Sequence, residues 1–247
     1  MKITEVKNKK SVSVNIFLFG LALWWLPLLS SCGNNGNINP VEAKIQYQVL
    51  NLSYDILPVN LYVNYLKQNT SSIRYPSGSG YLGLTTIDTP FQIRSAQTTT
   101  TLNFLKIDST RLSRETKYTV YVVGSRKDST LDYIFTVDTS SVPAIGRGKV
   151  RFVNASMQVT GAANGLTFTA NDTVAVRRLL YKGVSDFIEL PAGIYNFEVY
   201  PYNNPAQELF SLPNTNIQDG RLYTIYTHGL AFRTDTTAFS TKILTNR

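Results

Sequence analysis

The chain has 247 residues, with 24 Lys and Arg against 16 Asp and Glu, a formal charge of +8, and 15 tyrosines beside a single Cys and a single His. One cysteine excludes a disulfide framework within the chain, and one histidine excludes a multi-histidine metal centre. The cations are dispersed, with Lys44, Arg74, Arg94, Lys106, Arg151, Arg177, Arg221 and Arg233 standing apart along the chain, so no nucleic-acid partner is expected.

The first 31 residues read as a signal peptide: Lys2, Lys7, Lys9 and Lys10 are basic, Ile16 to Leu29 is almost wholly apolar, and Ser30 and Ser31 are small. The apolar run is too short to span a hydrocarbon core, which takes about 20 residues. Leu29-Ser30-Ser31-Cys32 resembles the lipobox of bacterial lipoproteins, whose cysteine is acylated and becomes the first residue after cleavage. The alternative is an ordinary secretory signal with an incidental cysteine. Acylation accounts for a lone thiol bound for an oxidising compartment, and two or more acyl chains give stable anchoring at about 0.8 kcal/mol per buried methylene. Four lysines and Glu5 leave with the signal and take +3 of the charge, so the remainder carries +5.

Residues 32–42 read as a flexible tether, with "GNNGNINP" lacking any apolar period. In envelope lipoproteins of Bacteroidota-type cells, which this chain resembles, an acidic cluster after the cysteine favours export to the surface. None precedes Glu42. The expected location is therefore the outer membrane, lipid-anchored, with the periplasmic face and the cell surface both open.

Strands follow. Ile45, Tyr47 and Val49 alternate with polar neighbours, as do Leu61, Val63 and Tyr65, and later Tyr195, Phe197 and Val199, the period-two pattern of a sheet with one buried face. Lys117 to Val123 and Leu222 to Tyr226 are apolar or aromatic on both faces, which suits central strands. Turn signals at Pro76-Ser77-Gly78, Asn164-Gly165, Pro191-Ala192-Gly193, Asn203-Asn204-Pro205 and Asp219-Gly220 separate the runs. An internal repeat is visible: Tyr118 and Gly124 recur 105 positions on as Tyr223 and Gly229, and Tyr47 aligns with Phe152 at the same offset, while Asn51 aligns with Asn154. The expected fold is all-β, two tandem immunoglobulin-like β-sandwich domains at 43–139 and 148–247, joined by a linker at 140–147.

"GKVRFVNAS" (Gly148 to Ser156), "FIELPAGIYNFEV" (Phe187 to Val199) and "GRLYTIYTHG" (Gly220 to Gly229) resemble an uncharacterised, DUF4397-like family of bacterial envelope lipoproteins with tandem β-sandwiches. The resemblance is fuller over 148–247 than over 43–139. It implies the fold and the compartment and brings no catalytic residue with it.

Catalysis finds no constellation: no cofactor or metal site is expected, His228 lies at a strand end where the first repeat has Val123, and Asp186 and Glu189 point to opposite faces of a presumed strand. Binding is the better expectation. Tyr54, Tyr62, Tyr65, Tyr75, Tyr81, Tyr121, Tyr133, Tyr181, Tyr200, Tyr202 and Tyr226 are candidates for faces turned away from the cores, suited to glycan stacking or a protein partner. The alternative is that aromatics simply favour strands. Asp-Ser/Thr-X triplets at Ser109, Ser129, Thr173 and Thr236 resemble the O-glycosylation acceptor of Bacteroidota-type envelope proteins, although Asp-Ser and Asp-Thr also form turns. The chain thus reads as a lipid-anchored, non-enzymatic binding or assembly module, with a surface glycan-binding accessory protein or a fimbrial or adhesin-type subunit as alternatives.

Overall fold

The computed structural model describes residues 45–84, 90–97, 102–107, 112–157 and 165–247, none of them helical. The first half supplies β1 (Ile45–Asn51), β2 (Val59–Val63), β3 (Leu66–Lys67), β4 (Ser77–Gly78), β5 (Leu82–Leu84), β6 (Phe91–Ser95), β7 (Asn103–Ile107), β8 (Thr116–Val123) and β9 (Asp132–Val137). The second supplies β10 (Arg147–Asn154), β11 (Leu166–Ala170), β12 (Thr173–Leu179), β13 (Ile188–Pro191), β14 (Gly193–Pro201), β15 (Phe210–Ile217), β16 (Leu222–His228) and β17 (Ser240–Thr245).

Four sheets result: β4-β1-β8-β9, with β5 also on β1, and β3-β2-β6-β7 from the first half; β13-β10-β16-β17 and β12-β11-β14-β15 from the second. The halves share one strand order. In both, the first strand runs parallel to the last but one, β1 beside β8 and β10 beside β16. An immunoglobulin constant domain instead keeps its first strand in the sheet of its second, so the sandwich architecture is shared while the first strand here lies in the opposite sheet.

Alternation fills two cores. Tyr47, Val49, Leu61, Phe91, Ile93 and Val120 meet between the first pair of sheets, where Tyr47 and Phe91 stack at 4.7 Å. Phe152, Phe168, Phe197, Val199 and Ile225 meet between the second pair. A third cluster lies between the sandwiches: Leu50, Leu52, Tyr121, Val123 and Ile134 of the first against Val153, Ala155 and Tyr226 of the second. The sheets of β1 and β10 are therefore covered on both faces, and the fold is a stack of four layers. This is the physical meaning of the strands that are apolar on both sides: β8 and β16 face their own core on one side and the neighbouring sandwich on the other.

The repeat is structural. Tyr118 accepts a hydrogen bond from Ser113 N–H at 2.6 Å and Tyr223 one from Gln218 N–H at 3.1 Å, each reaching five residues back, a tyrosine corner in both halves. Gly124 (φ 85°) and Gly229 (φ 82°) end the equivalent strands, and a Cβ would lie 2.1 Å from Thr130 O in the first and 2.2 Å from Ala238 O in the second. The first strands follow a different offset from the one expected. Tyr47 sits opposite Tyr118 and Val150 opposite Tyr223, so Tyr47 corresponds to Val150, 103 positions on, and Phe152 to Val49. A two-residue slip leaves every side chain on its own face, so alternation could not reveal it. Asn51 and Asn154 do correspond: each side-chain oxygen accepts from the N–H two residues on, at 3.3 Å, and each amide donates across to a carbonyl, Ile73 O at 3.2 Å and Leu179 O at 3.0 Å. They fix strand ends.

A second departure concerns Tyr65. β2 stops at Val63, and Asn64 (φ 47°) and Tyr65 (φ 67°) form a tight turn into β3, which puts Tyr65 in solvent instead of on the core face of the strand.

Candidate binding surface

The outer face of the sheet β3-β2-β6-β7 is built by alternation: Leu61, Val63, Phe91 and Ile93 point inward, and of the side chains on the other face Tyr62 and Arg94 are half-exposed while Asn60 and Gln92 are buried beneath their neighbours. Register then lines up a row straight across four strands, Lys67 opposite Tyr62, Tyr62 opposite Gln92, and Gln92 opposite Lys106. The next row sets Asn60 opposite Arg94 and Arg94 opposite Asn103. The Arg94 guanidinium lies 4.7 Å from the Tyr62 ring centroid and 5.3 Å from that of Tyr65, and it donates to Gln92 Oε1. Each ring adds a cation–π attraction of about 0.5–1 kcal/mol to hold the guanidinium. Asn69 ties the edge, accepting from Leu61 N–H at 2.7 Å and donating to Asn60 Oδ1 at 2.9 Å.

The equivalent row of the second sandwich reads Val174, Thr169, Glu198 and Ser211. Its centre is a carboxylate. Glu198 Oε2 accepts from Thr169 Oγ1 at 3.1 Å and Tyr200 OH at 2.8 Å, and that bond pushes the exposed Tyr200 hydroxyl up to about 12. At its edge Arg178 lies 5.5 Å from the Tyr202 ring centroid.

Between the sandwiches lies a buried polar network. Asp138, fully buried, accepts from Tyr81 OH at 2.6 Å, from Thr136 Oγ1 at 2.8 Å and from Thr119 Oγ1, and it pairs with Arg151. Arg151 donates also to Thr224 Oγ1 at 2.8 Å and Val137 O at 2.7 Å, and its guanidinium lies 4.8 Å from the Phe187 ring centroid. Thr224 Oγ1 in turn donates to Asn246 Oδ1 at 2.7 Å. Every atom of the pair has a partner within the protein, which is the arrangement of a staple and not of a vacant site.

Of the tyrosines expected on faces turned from the cores, Tyr121 and Tyr226 meet each other at 5.8 Å between the sandwiches, buried from solvent. Sequence reasoning could place them off the cores, and the apolar outer faces of β8 and β16 signalled a cover without saying which element supplies it. Tyr62 and Tyr65 reach the outer face described above, and Tyr200 and Tyr202 its counterpart. His228 is buried, 3% exposed, with Nδ1 at 3.5 Å from Tyr75 OH; burial, with Lys242 nearby, depresses it to about 4, so it is neutral at pH 7. A histidine in that state, roofed by Tyr75, is poorly placed to exchange protons with a substrate. Asp186 precedes β13, while Glu189 within it lies 3.5 Å from Lys149, so the two carboxylates are not a pair. Among the described residues no group of three or more His, Cys, Asp or Glu is arranged for a metal ion.

Cys32 and Ser109, with the signal and tether, lie outside the described residues. Ser129 is exposed in the β8–β9 turn with φ 56°. Thr173 is exposed at the start of β12, after a two-residue turn made by Asn171 (φ 46°) and Asp172 (φ 62°). Thr236 is exposed in the β16–β17 loop, where Asp235 Oδ1 accepts from Thr237 N–H at 2.9 Å, the turn-forming role of such triplets.

No curated protein matches this chain. Among solved structures, a family CBM26 carbohydrate-binding module of Eubacterium rectale Amy13K, crystallised with maltoheptaose, is 12% identical over 81% of this chain and 95% of its own, at a TM-score of 0.23, too slight a likeness to transfer anything. The family resemblance was expected to be fuller in the second half, yet the match falls on the first sandwich and the start of the second. Residues 46–161 match the family model described as "Domain of unknown function (DUF4397)".

Proposed function

We propose that this protein is a non-enzymatic binding module of the bacterial cell envelope, lipid-anchored through Cys32 at the outer membrane, whose partner docks on the outward faces of the sandwiches, with glycan as the favoured ligand. One observation carries the binding reading: Tyr62, Arg94 and Tyr65 form an ordered, solvent-facing array that serves neither hydrophobic core. Side chains with no packing duty, held in place by one another and by amides, are what a recognition surface needs, because ordering them beforehand removes an entropic cost of binding of about 0.5–1.5 kcal/mol per side chain. The four-layer stack supports the same role by leaving its two outermost sheets uncovered by any further sheet.

Two experiments test the reading. Labelling the full chain with palmitate in a bacterial host should give a tagged product, lost in Cys32→Ser; a chain that stays unlabelled ends the anchoring half. Cross-linking intact native cells, alongside a polysaccharide screen with the detergent-solubilised chain, should yield a partner or a retained polymer. Silence in both ends the binding half. The exposed Ser129, Thr173 and Thr236, and Ser109, are proposed O-glycan acceptors, and an intact mass equal to polypeptide plus lipid would remove that proposal.

A further inference from the structure

Resting on the binding reading above, we propose that the outer face of β3-β2-β6-β7 is a subsite for an anionic polysaccharide, with Arg94 as its central cation and Lys67 and Lys106 at its two edges. The sequences of the four strands, VNLYV, LK, FQIRS and NFLKI, contain three cations and no carboxylate. The cations are not randomly placed. Lys67 and Lys106 close the ends of one cross-strand row, three inter-strand steps apart, which is about 14 Å at the usual spacing, and Arg94 stands in the adjoining row between them.

What lies between the charges selects the chemistry of the partner. The Tyr62 hydroxyl offers a donor and an acceptor to sugar hydroxyls, and the rings of Tyr62 and Tyr65 offer flat apolar faces against which a pyranose can lie, while the buried Gln92 and Asn60 hold Arg94 and Asn69 in place beneath them. A carboxylated or sulfated sugar chain supplies both the anions and the hydroxyls. Arg94 is fitted to read the anion. Its guanidinium is fixed by two rings and by Gln92, and a planar fork takes a carboxylate in two parallel hydrogen bonds. Charge complementarity also distinguishes this face from its counterpart. Glu198 occupies the centre of the equivalent row in the second sandwich, where it would repel the same ligand.

The test is affinity electrophoresis of the detergent-solubilised full chain through gels containing polygalacturonate or, separately, neutral dextran. Polygalacturonate is expected to retard the wild type, with the retardation weakened at least about tenfold by 0.5 M NaCl, since exposed charges are screened at that ionic strength. Arg94→Gln should weaken binding about tenfold or more, the scale of losing a charged hydrogen-bonding partner. Lys67→Gln/Lys106→Gln alters only exposed side chains and should weaken binding by a smaller factor; Glu198→Gln should leave it unchanged. Equal retardation of wild type, Arg94→Gln and the double lysine variant overturns the proposal. So does retention by dextran alone, lost in Tyr62→Ala, which would leave a glycan-binding role standing on a neutral ligand. Binding to phosphatidylglycerol vesicles or to single-stranded DNA without binding to polygalacturonate would overturn it in favour of another polyanion. Absence of retention by any polymer, together with no cross-linked partner in cells, overturns both this subsite and the binding reading.

Discussion

The two sandwiches have one strand order and one set of end-fixing residues, yet they differ where each meets something other than itself. Gln48 of the first corresponds to Arg151 of the second, because β1 and β10 pair with β8 and β16 in equivalent register. Asp138 corresponds to Asn246, since each follows the last strand of its half and donates its N–H at 2.8 Å to the matching carbonyl, Lys117 O or Leu222 O. Thr119 bonds Asp138 as Thr224 bonds Asn246. A neutral pair of positions, Gln48 and Asn246, therefore faces its charged equivalent, Arg151 and Asp138, across one interface. The charged pair bonds to itself across it. The Gln48 side-chain oxygen is buried without a partner, and Asn246 turns to Tyr81 OH at 2.9 Å. The duplicated framework has tolerated divergence at these facing positions with the charged side fully paired and one amide oxygen of the neutral side left without a partner.

That comparison can be broken most sharply at the pair itself. Arg151→Ala should lower stability by about 3–5 kcal/mol, the cost of stranding a buried carboxylate, read as a fall in Tm and in the denaturation midpoint. Arg151→Gln with Asp138→Asn, which writes the neutral side onto the charged one, should recover most of that loss; a double variant no better than the single would sink the equivalence. Next in size are the strand-ending glycines. Gly124→Ala and Gly229→Ala should each lose about 2–4 kcal/mol, since the new methyl enters a carbonyl oxygen at a left-handed residue, and similar losses at both would support one fold in both halves.

His228 has no titratable equivalent, because Val123 stands in its place. Its folded value of about 4 is below the ordinary 6.5, so the unfolded chain binds a proton first and the stability held at neutral pH is lost as pH falls from about 6.5 through 4. The expected loss is on the order of 2 kcal/mol, checked by chemical denaturation at pH 7 and pH 4. In His228→Val that slope should flatten, and an unchanged slope would place the titration elsewhere. The smallest effects come from the tyrosine corners, where Tyr118→Phe and Tyr223→Phe should each lose about 1 kcal/mol.

Much of this was legible from residue order because it depends on local rules. Period-two runs at Ile45, Leu61 and Tyr195 marked strands, and Tyr118-Gly124 against Tyr223-Gly229 marked the repeat, since a corner tyrosine and a left-handed glycine are demanded by backbone geometry wherever the fold recurs. The 105-residue alignment of Tyr47 with Phe152 went astray because strand alternation has no memory beyond two residues, and only hydrogen-bond register resolves a slip of that size. Likewise the tyrosines turned from the cores could be named but not sorted. Tyr62 and Tyr121 have the same strand context, and one is on an outer face while the other lies under a second sandwich.

The sequence by itself determined the strands, the duplication and the presence of a single histidine and a single cysteine, because side-chain alternation, turn chemistry and residue inventory are properties of the chain alone. Tertiary structure decided the rest. It chose the sheets that pair face to face, buried Tyr121, Tyr226 and His228, joined Arg151 to Asp138 across 13 positions of chain, and lined up Lys67, Tyr62, Gln92 and Lys106 from four separate strands. Those arrangements depend on non-local register and on which layer covers which, and no short-range pattern of residues encodes either.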